Sequence, residues 1–295
     1  MSAIVLMLVT GFGLAGLYFL LAVGLSLIFG LMGVLNMAHG ATFALGGYVG
    51  FLVMDRLTAI GTPGWRYVLA LVLAGFVGFM VGYLIERLLI ARFYHDHLAQ
   101  ILLTIGLGLA AVAVFGAVFT YDLRPVPQPN WLTDTTTVLG AHIPNSRWLT
   151  AVIALLLLLS LVTFLRRTRH GLIIRAGVEN RSMVSALGID VGRSFTLVFG
   201  IGSALATVGG ALGAVYFGGA SPALGTSQII FAFIVVVVGG MGSIGGTALA
   251  AVVVAMIQQL ANAYTVAGIG DIAVVGLLAV VLLVSPEGLL GRRTA

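Results

Sequence analysis

Long unbroken apolar stretches dominate the chain, and short polar segments marked by glycine separate them. Runs such as Ala151–Leu159 and Ile229–Val238 contain no polar residue. A bilayer core takes about 20 apolar residues per helix. On that scale the pattern predicts helices over 4–29, 40–54, 67–88, 98–120, 149–166, 194–217, 226–240, 246–264 and 271–285. A membrane barrel instead needs short strands alternating apolar and polar residues, and that pattern is missing. The expected fold is therefore all-α: a polytopic transmembrane bundle of eight or nine spans, forming one domain over 1–295. The first span carries Gly11, Gly13, Gly16, Gly24 and Gly30, which predicts a tilt or a break. The segments 40–54 and 226–240 are short, and each reads as re-entrant or as a half-helix.

Composition supports this picture. The chain is 60% hydrophobic and 8% charged, against about 25% charged in soluble domains. It holds 41 glycines among 295 residues. Small residues let helices approach closely in lipid, so a tightly packed bundle is expected. Cysteine is absent and every basic residue is Arg. Without Lys there is no P-loop, whose Lys reaches the phosphates, and no Schiff-base chemistry. Without Cys there is no disulfide framework or thiolate metal site. No metal or cofactor is expected, and any ATP must be bound by another chain. The start, Met-Ser-Ala-Ile-Val-Leu, lacks the basic region of a signal peptide and reads as a retained span.

The net charge of +5 is placed for orientation rather than for nucleic acid. With alternating spans, Arg87, Arg92, Arg166, Arg167, Arg169, Arg175, Arg181, Arg193, Arg292 and Arg293 share one side. Arg56, Arg66, Arg124 and Arg147 fall on the other. Basic residues accumulate in the cytoplasm. The segment 166–193 and the C-terminus are thus expected inside, and the N-terminus and 121–148 outside. The outer segment is rich in Pro, Thr and Asn and carries Trp131 and Trp148, which suit the interface. It reads as an interfacial loop or a landing surface for an extracytoplasmic partner.

The inner segment is too polar to span, yet Val178–Leu187 has helical character. Val178, Met183, Val184 and Leu187 form an apolar side, with Glu179, Asn180 and Arg181 at the polar start and Gly188 just beyond the end. An acid in the first turn complements the helix dipole, and a glycine after the last turn suits its end. Such a helix lies on a membrane interface or docks in a partner's groove; the pattern alone leaves both open. The glycine-rich 239–247 loosely echoes 33–47, a weak hint of an internal repeat.

This inner loop resembles the coupling loop of ABC-importer permeases, particularly the branched-chain amino acid (Liv-type) family. The matching residues are 167–171 (RTRHG), Arg175-Ala176, Glu179-Asn180, 186–190 (ALGID) and Arg193. Further matches are 24–40 (GLSLIFGLMGVLNMAHG), Gly46-Gly47-Tyr48, 239–246 (GGMGSIGG) and 286–289 (PEGL). They run in family order along nearly the whole chain. The resemblance implies a permease subunit in a bacterial inner membrane, paired with a second, related permease. Two cytoplasmic ABC ATPase subunits and a periplasmic binding protein complete such importers, with lipid as surroundings. It further implies ATPase coupling through Arg175, Val178, Glu179, Asn180, Met183, Leu187 and Gly188. The segment 121–148 matches no family motif, so contacts of the outer loop stay undefined.

Polar groups at lipid depth face the bundle interior or water. The candidates for a substrate path or gate are Asn36, His39, Thr42, Gln228 and Ser243, beside Gln100, Thr104, Ser203, Thr207, Thr247, Gln258, Gln259 and Asn262. Interhelical hydrogen bonding explains any one of them equally well. Asn36 and His39 stand apart because glycines bound the break in which they sit. No Asp, Glu or Arg lies in the middle of a predicted span. Ion-coupled carriers use buried charges, so a stand-alone carrier or channel is the weaker reading. Apolar amino acids suit the expected lining, and urea or short amides are the alternative cargo. No catalytic constellation appears, so an intramembrane enzyme is disfavoured.

Overall fold

The computed structural model describes residues 2–94, 96–266, 268–285 and 287–290, so the expectations placed on Pro286, Arg292 and Arg293 lie outside the described residues. Among the described residues, nine long helices fall where the apolar pattern put them. They are α1 (Ser2–Met32), α2 (His39–Arg56), α3 (Pro63–Leu88), α4 (His97–Phe119), α6 (Asn145–Arg167), α9 (Val191–Tyr216), α10 (Pro222–Gly239), α11 (Ile244–Tyr264) and α12 (Ile269–Val284). Three short helices join them: α5 (Asn130–Thr133), α7 (Arg169–Glu179) and α8 (Arg181–Ala186). Among the described residues, seven helices are long and apolar enough to cross a membrane: α1, α3, α4, α6, α9, α10 and α11. At 18 residues α2 has the length, but it carries Gly40, Gly46, Gly47 and Gly50 with polar residues at both ends. Helix α12 is apolar throughout but only 16 residues long. The fold is an all-α, multi-pass membrane bundle.

Its centre is a crossing of two antiparallel helices, α1 and α9. Leu20 lies by Gly209, and Gly24 by Gly202. A Cβ built on Gly24 would stand 2.5 Å from the Gly202 carbonyl oxygen. Only two glycines permit that approach, which replaces hydrophobic force with close main-chain contact. Each long helix is followed by a non-helical stretch, 33–38 or 217–221, and then by a helix of 18 residues. These helices, α2 and α10, meet near their first turns, where a Cβ on Gly40 would stand 2.4 Å from the Gly225 carbonyl oxygen.

The flanking helices repeat the symmetry. Gly78 and Gly82 of α3 bring it against Thr207 and Ser203 of α9, and Gly11 of α1 receives Met256 of α11. The units α1–α2–α3 and α9–α10–α11 therefore make reciprocal contacts with opposite direction, the arrangement of an inverted repeat. The echo of 33–47 read at 239–247 does not match this arrangement: the break after α1 at 33–38 has its counterpart after α9, at 217–221.

Segment 121–148 holds more order than a loop. After α5, strands β1 (Thr135–Val138) and β2 (Ala141–Pro144) pair antiparallel, Thr135 opposite Pro144. Ala141 and Ile143 pack on Val9 of α1. Arg124 and Ala220 exchange two backbone hydrogen bonds of 2.8 Å, tying this segment to the α9–α10 connection. Arg147 stacks 3.4 Å over the Tyr216 ring and donates to the Tyr216 carbonyl. Trp131 and Trp148 are 44% and 37% exposed.

Candidate functional site

Helix α1 ends because Gly33 turns left-handed (φ 65°) while its N–H still bonds the Phe29 carbonyl at 2.8 Å. The chain then folds back into the bundle instead of leaving it. His39, at the start of α2, donates from Nε2 to the carbonyl of Leu21 at 3.1 Å. Leu21 lies eleven residues before the end of α1, or about 17 Å along the axis. Residues 33–38 thus form a non-helical break at depth, which is tolerated only where its backbone groups are satisfied. Three bonds do so. The Asn36 Oδ1 accepts the Ala38 N–H (3.1 Å), the Asn36 carbonyl accepts the His39 N–H (3.2 Å), and Thr104 Oγ1 donates to the Leu35 carbonyl (3.3 Å). Thr42 Oγ1 donates to the His39 carbonyl at 2.7 Å. Asn36, His39 and Thr42 are all buried.

Two apolar cavities flank the break. One, of about 210 Å³, lies between α1, the break and α10, and is lined by Leu25, Asn36 and Phe233 among others. The second, of about 150 Å³, reaches α4 at Ile105 and Leu109. Met37 and Ile229 line both.

At the opposite end from the hairpin, α7 and α8 form an arm. Thr168 caps α7 by accepting the Gly171 N–H at 3.0 Å. Gly171 lies against the backbone of Phe164 and Leu165, and Gly177 against Leu31, so α7 is pressed under the bundle with Ile174 buried. Asn180 breaks the arm. Its Oδ1 accepts the Met183 N–H (2.9 Å) and the Ser182 hydroxyl (2.7 Å), which starts α8 afresh. Gly188 ends α8 with φ 77°. Val184 alone of the α8 apolar residues is buried; Met183 and Leu187 are 61% and 72% exposed.

The chain matches the family model described as "Branched-chain amino acid transport system / permease component" over residues 7–285. The chain belongs to this family. It is 32% identical to the high-affinity branched-chain amino acid transport system permease protein LivH of Escherichia coli K12, over 96% of this chain and 94% of LivH. It is 29% identical to the corresponding permease protein BraD of Pseudomonas aeruginosa, over 97% of this chain and 95% of BraD. A more distant relative is LivM of E. coli K12, 27% identical over 93% of this chain and 68% of LivM. No solved structure matches the chain.

Within this permease, Asn36, His39 and Thr42 come together at one place, with Thr104 as a fourth member contributed by α4. Gln228 sits on α10 next to the cavity residue Ile229, its Nε2 donating to Ser227 Oγ at 3.4 Å. Ser243 does not join them. Its Oγ caps α11 by accepting the Gly246 N–H (3.1 Å), and it lines a cleft of about 710 Å³ with Arg175, Val178 and Glu179. The turn 240–243 therefore belongs with the arm, not with the break. The single helix expected over Val178–Leu187 is two helices. Val178 and Glu179 end α7, and Asn180 is the junction.

Sequence reasoning missed α7, Met37 and Ile229. The glycines of α7 mark close approach to Phe164, Leu165 and Leu31. Met37 and Ile229 are apolar residues among many, and only the fold brings them together.

Proposed function

We propose that this permease is the membrane subunit of an ATP-driven importer whose cargo is a branched-chain or other apolar amino acid. The observation that carries it is the arm: a capped, two-helix element that buries Ile174 and Val184 yet leaves Met183 and Leu187 in solvent. A short helix that presents apolar residues outward suits a partner's groove. In this reading the groove belongs to a cytoplasmic ATPase. Arg175, Val178, Glu179, Asn180, Met183, Leu187 and Gly188 form or shape the contact, and Ser243 relays its movement to α10 and α11. The hairpin end then faces outward, toward a substrate-binding protein, and the C-terminus faces the cytoplasm of a bacterial inner membrane. A second, related permease completes the path, and Asn36, His39, Thr42 and Gln228 shape this chain's share of it. The chain itself hydrolyses nothing. ATP binding to the partner biases the bundle between two states.

The test is to purify the tagged permease in mild detergent from its own membranes and reconstitute it. An ATPase and a second permease are expected to co-purify, and leucine uptake is expected to require ATP. A chain that purifies alone and transports without ATP overturns the importer reading.

A further inference from the structure

We infer that α4 is a strap that couples the two breaks of the inverted repeat, so that a change at 33–38 is felt at 217–221. The coupling is a property of this chain alone; its use in transport rests on the importer reading.

Helix α4 belongs to neither repeat unit, yet it touches both breaks. Its first residue, His97, lies beside Gly33, where a Cβ would stand 3.8 Å from the His97 Nε2. Two turns on, Thr104 donates to the Leu35 carbonyl at 3.3 Å. Gly108 then rests on the main chain of Met37 and Ala38, where its Cβ would stand 3.6 Å from the Ala38 Cα. Three points along α4 thus follow the first break.

The other end of α4 holds the second break. Phe119 stacks on Tyr48 of α2 with ring centroids 4.4 Å apart, and Phe115 joins at 5.1 Å. Thr120 turns to a positive φ of 66°, which a β-branched residue rarely adopts. Such a turn persists only where its surroundings fix it. Arg124 does so. Its Nε donates to the Phe119 carbonyl at 3.0 Å, and its main chain exchanges two 2.8 Å bonds with Ala220. Gly219 lies against Leu123 and the Arg124 carbonyl. The tail of α4 is therefore a wall of the second break.

Between these ends most of α4 is uncovered. Leu98, Leu102, Leu109, Val114 and Val118 are exposed, and only Gln100, Thr104 and Gly116 of the helix are buried. A helix moves as one piece because each turn is bonded to the next. Thr104 and Phe119 are fifteen residues apart, or about 22 Å along the axis. A shift of the Leu35 carbonyl pulls α4 endwise and loads the Arg124–Ala220 bridge. In an importer this tie makes the two halves of the repeat switch together.

The sequence holds no cysteine, so Ser221→Cys places a lone thiol beside that bridge. The purified chain is labelled with a water-soluble maleimide, without ATP or partners. Thr104→Val should speed labelling about fivefold, the effect of one lost hydrogen bond. Sites more than about 10 Å apart normally act independently, so an effect over this span is diagnostic. Thr104→Ser, which keeps the donor, should label like the unaltered background. Thr247→Val, which deletes a hydroxyl bonded within α11, should do the same. In reverse, Arg124→Ala should speed labelling of Met37→Cys at the first break. Unchanged Ser221→Cys labelling in a folded Thr104→Val chain overturns the strap. Equal acceleration by Thr247→Val overturns it too, since general loosening then suffices. Should Thr104→Val not fold, unchanged Met37→Cys labelling in Arg124→Ala overturns it. A complex that imports no amino acid overturns the importer reading and leaves the strap standing.

Discussion

The break at 33–38 and the arm at 169–186 are both glycine-marked interruptions between apolar helices. In the fold they are opposites. At the break the polar side chains of Asn36, His39 and Thr42 turn inward, and each bonds a main-chain group. On the arm the polar atoms cap helix ends while Leu172, Met183 and Leu187 face solvent. The difference separates two tasks. A structure that must hold its shape inside a bilayer satisfies itself, whereas a structure awaiting a partner leaves apolar surface uncovered.

Substitutions at the two regions should therefore fail in different ways. The largest effect is expected for Gly40→Leu at the break. Its Cβ meets the Gly225 main chain, so overpacking costs about 3 kcal/mol. The variant should lose thermal stability in detergent and vanish from the complex; an unchanged melting temperature would mean α2 and α10 do not meet as described. Next comes Leu187→Asp on the arm, at a residue 72% exposed. The isolated permease should melt like wild type, while ATPase recovery falls about tenfold, the equivalent of ~1.4 kcal/mol. A fall in melting temperature instead would place Leu187 in the permease's own core. The smallest change is expected for Asn180→Ala, which removes the cap of α8. Lost N-caps cost about 1 kcal/mol, so uptake should drop by about fivefold with the complex intact. Uptake equal to wild type would show that α8 needs no separate start.

Much of the fold was legible because lipid permits few solutions. The span predicted at 98–120 is α4 (His97–Phe119), and that at 246–264 is α11 (Ile244–Tyr264). The hairpin was not legible. Its strands are four residues each, and its turn is Leu139-Gly140 rather than the usual Asn-Gly, with Leu139 left-handed at φ 50°. Helix α7 was not expected; it carries Gly171 and Gly177, and glycine is a weak helix former. They are small because Leu165 and Leu31 press against them. Of the path candidates, Asn36 and His39 could be singled out by their glycine-bounded surroundings. Ser243 carried the same local signal and yet belongs to the arm, because short glycine-rich turns look alike until their neighbours are known.

The glycine pairs at the centre of the bundle also limit how this chain can change over generations. Where a side chain obstructs a new methyl group, a second substitution can make room. At Gly24 and Gly202, and at Gly40 and Gly225, the obstacle is a carbonyl of the main chain. No choice of amino acid removes a carbonyl, so no compensating partner substitution exists. Two-step routes through sequence space are closed at these four positions. A descendant that places a larger residue at either crossing must reposition a whole helix, and with it the break and both cavities.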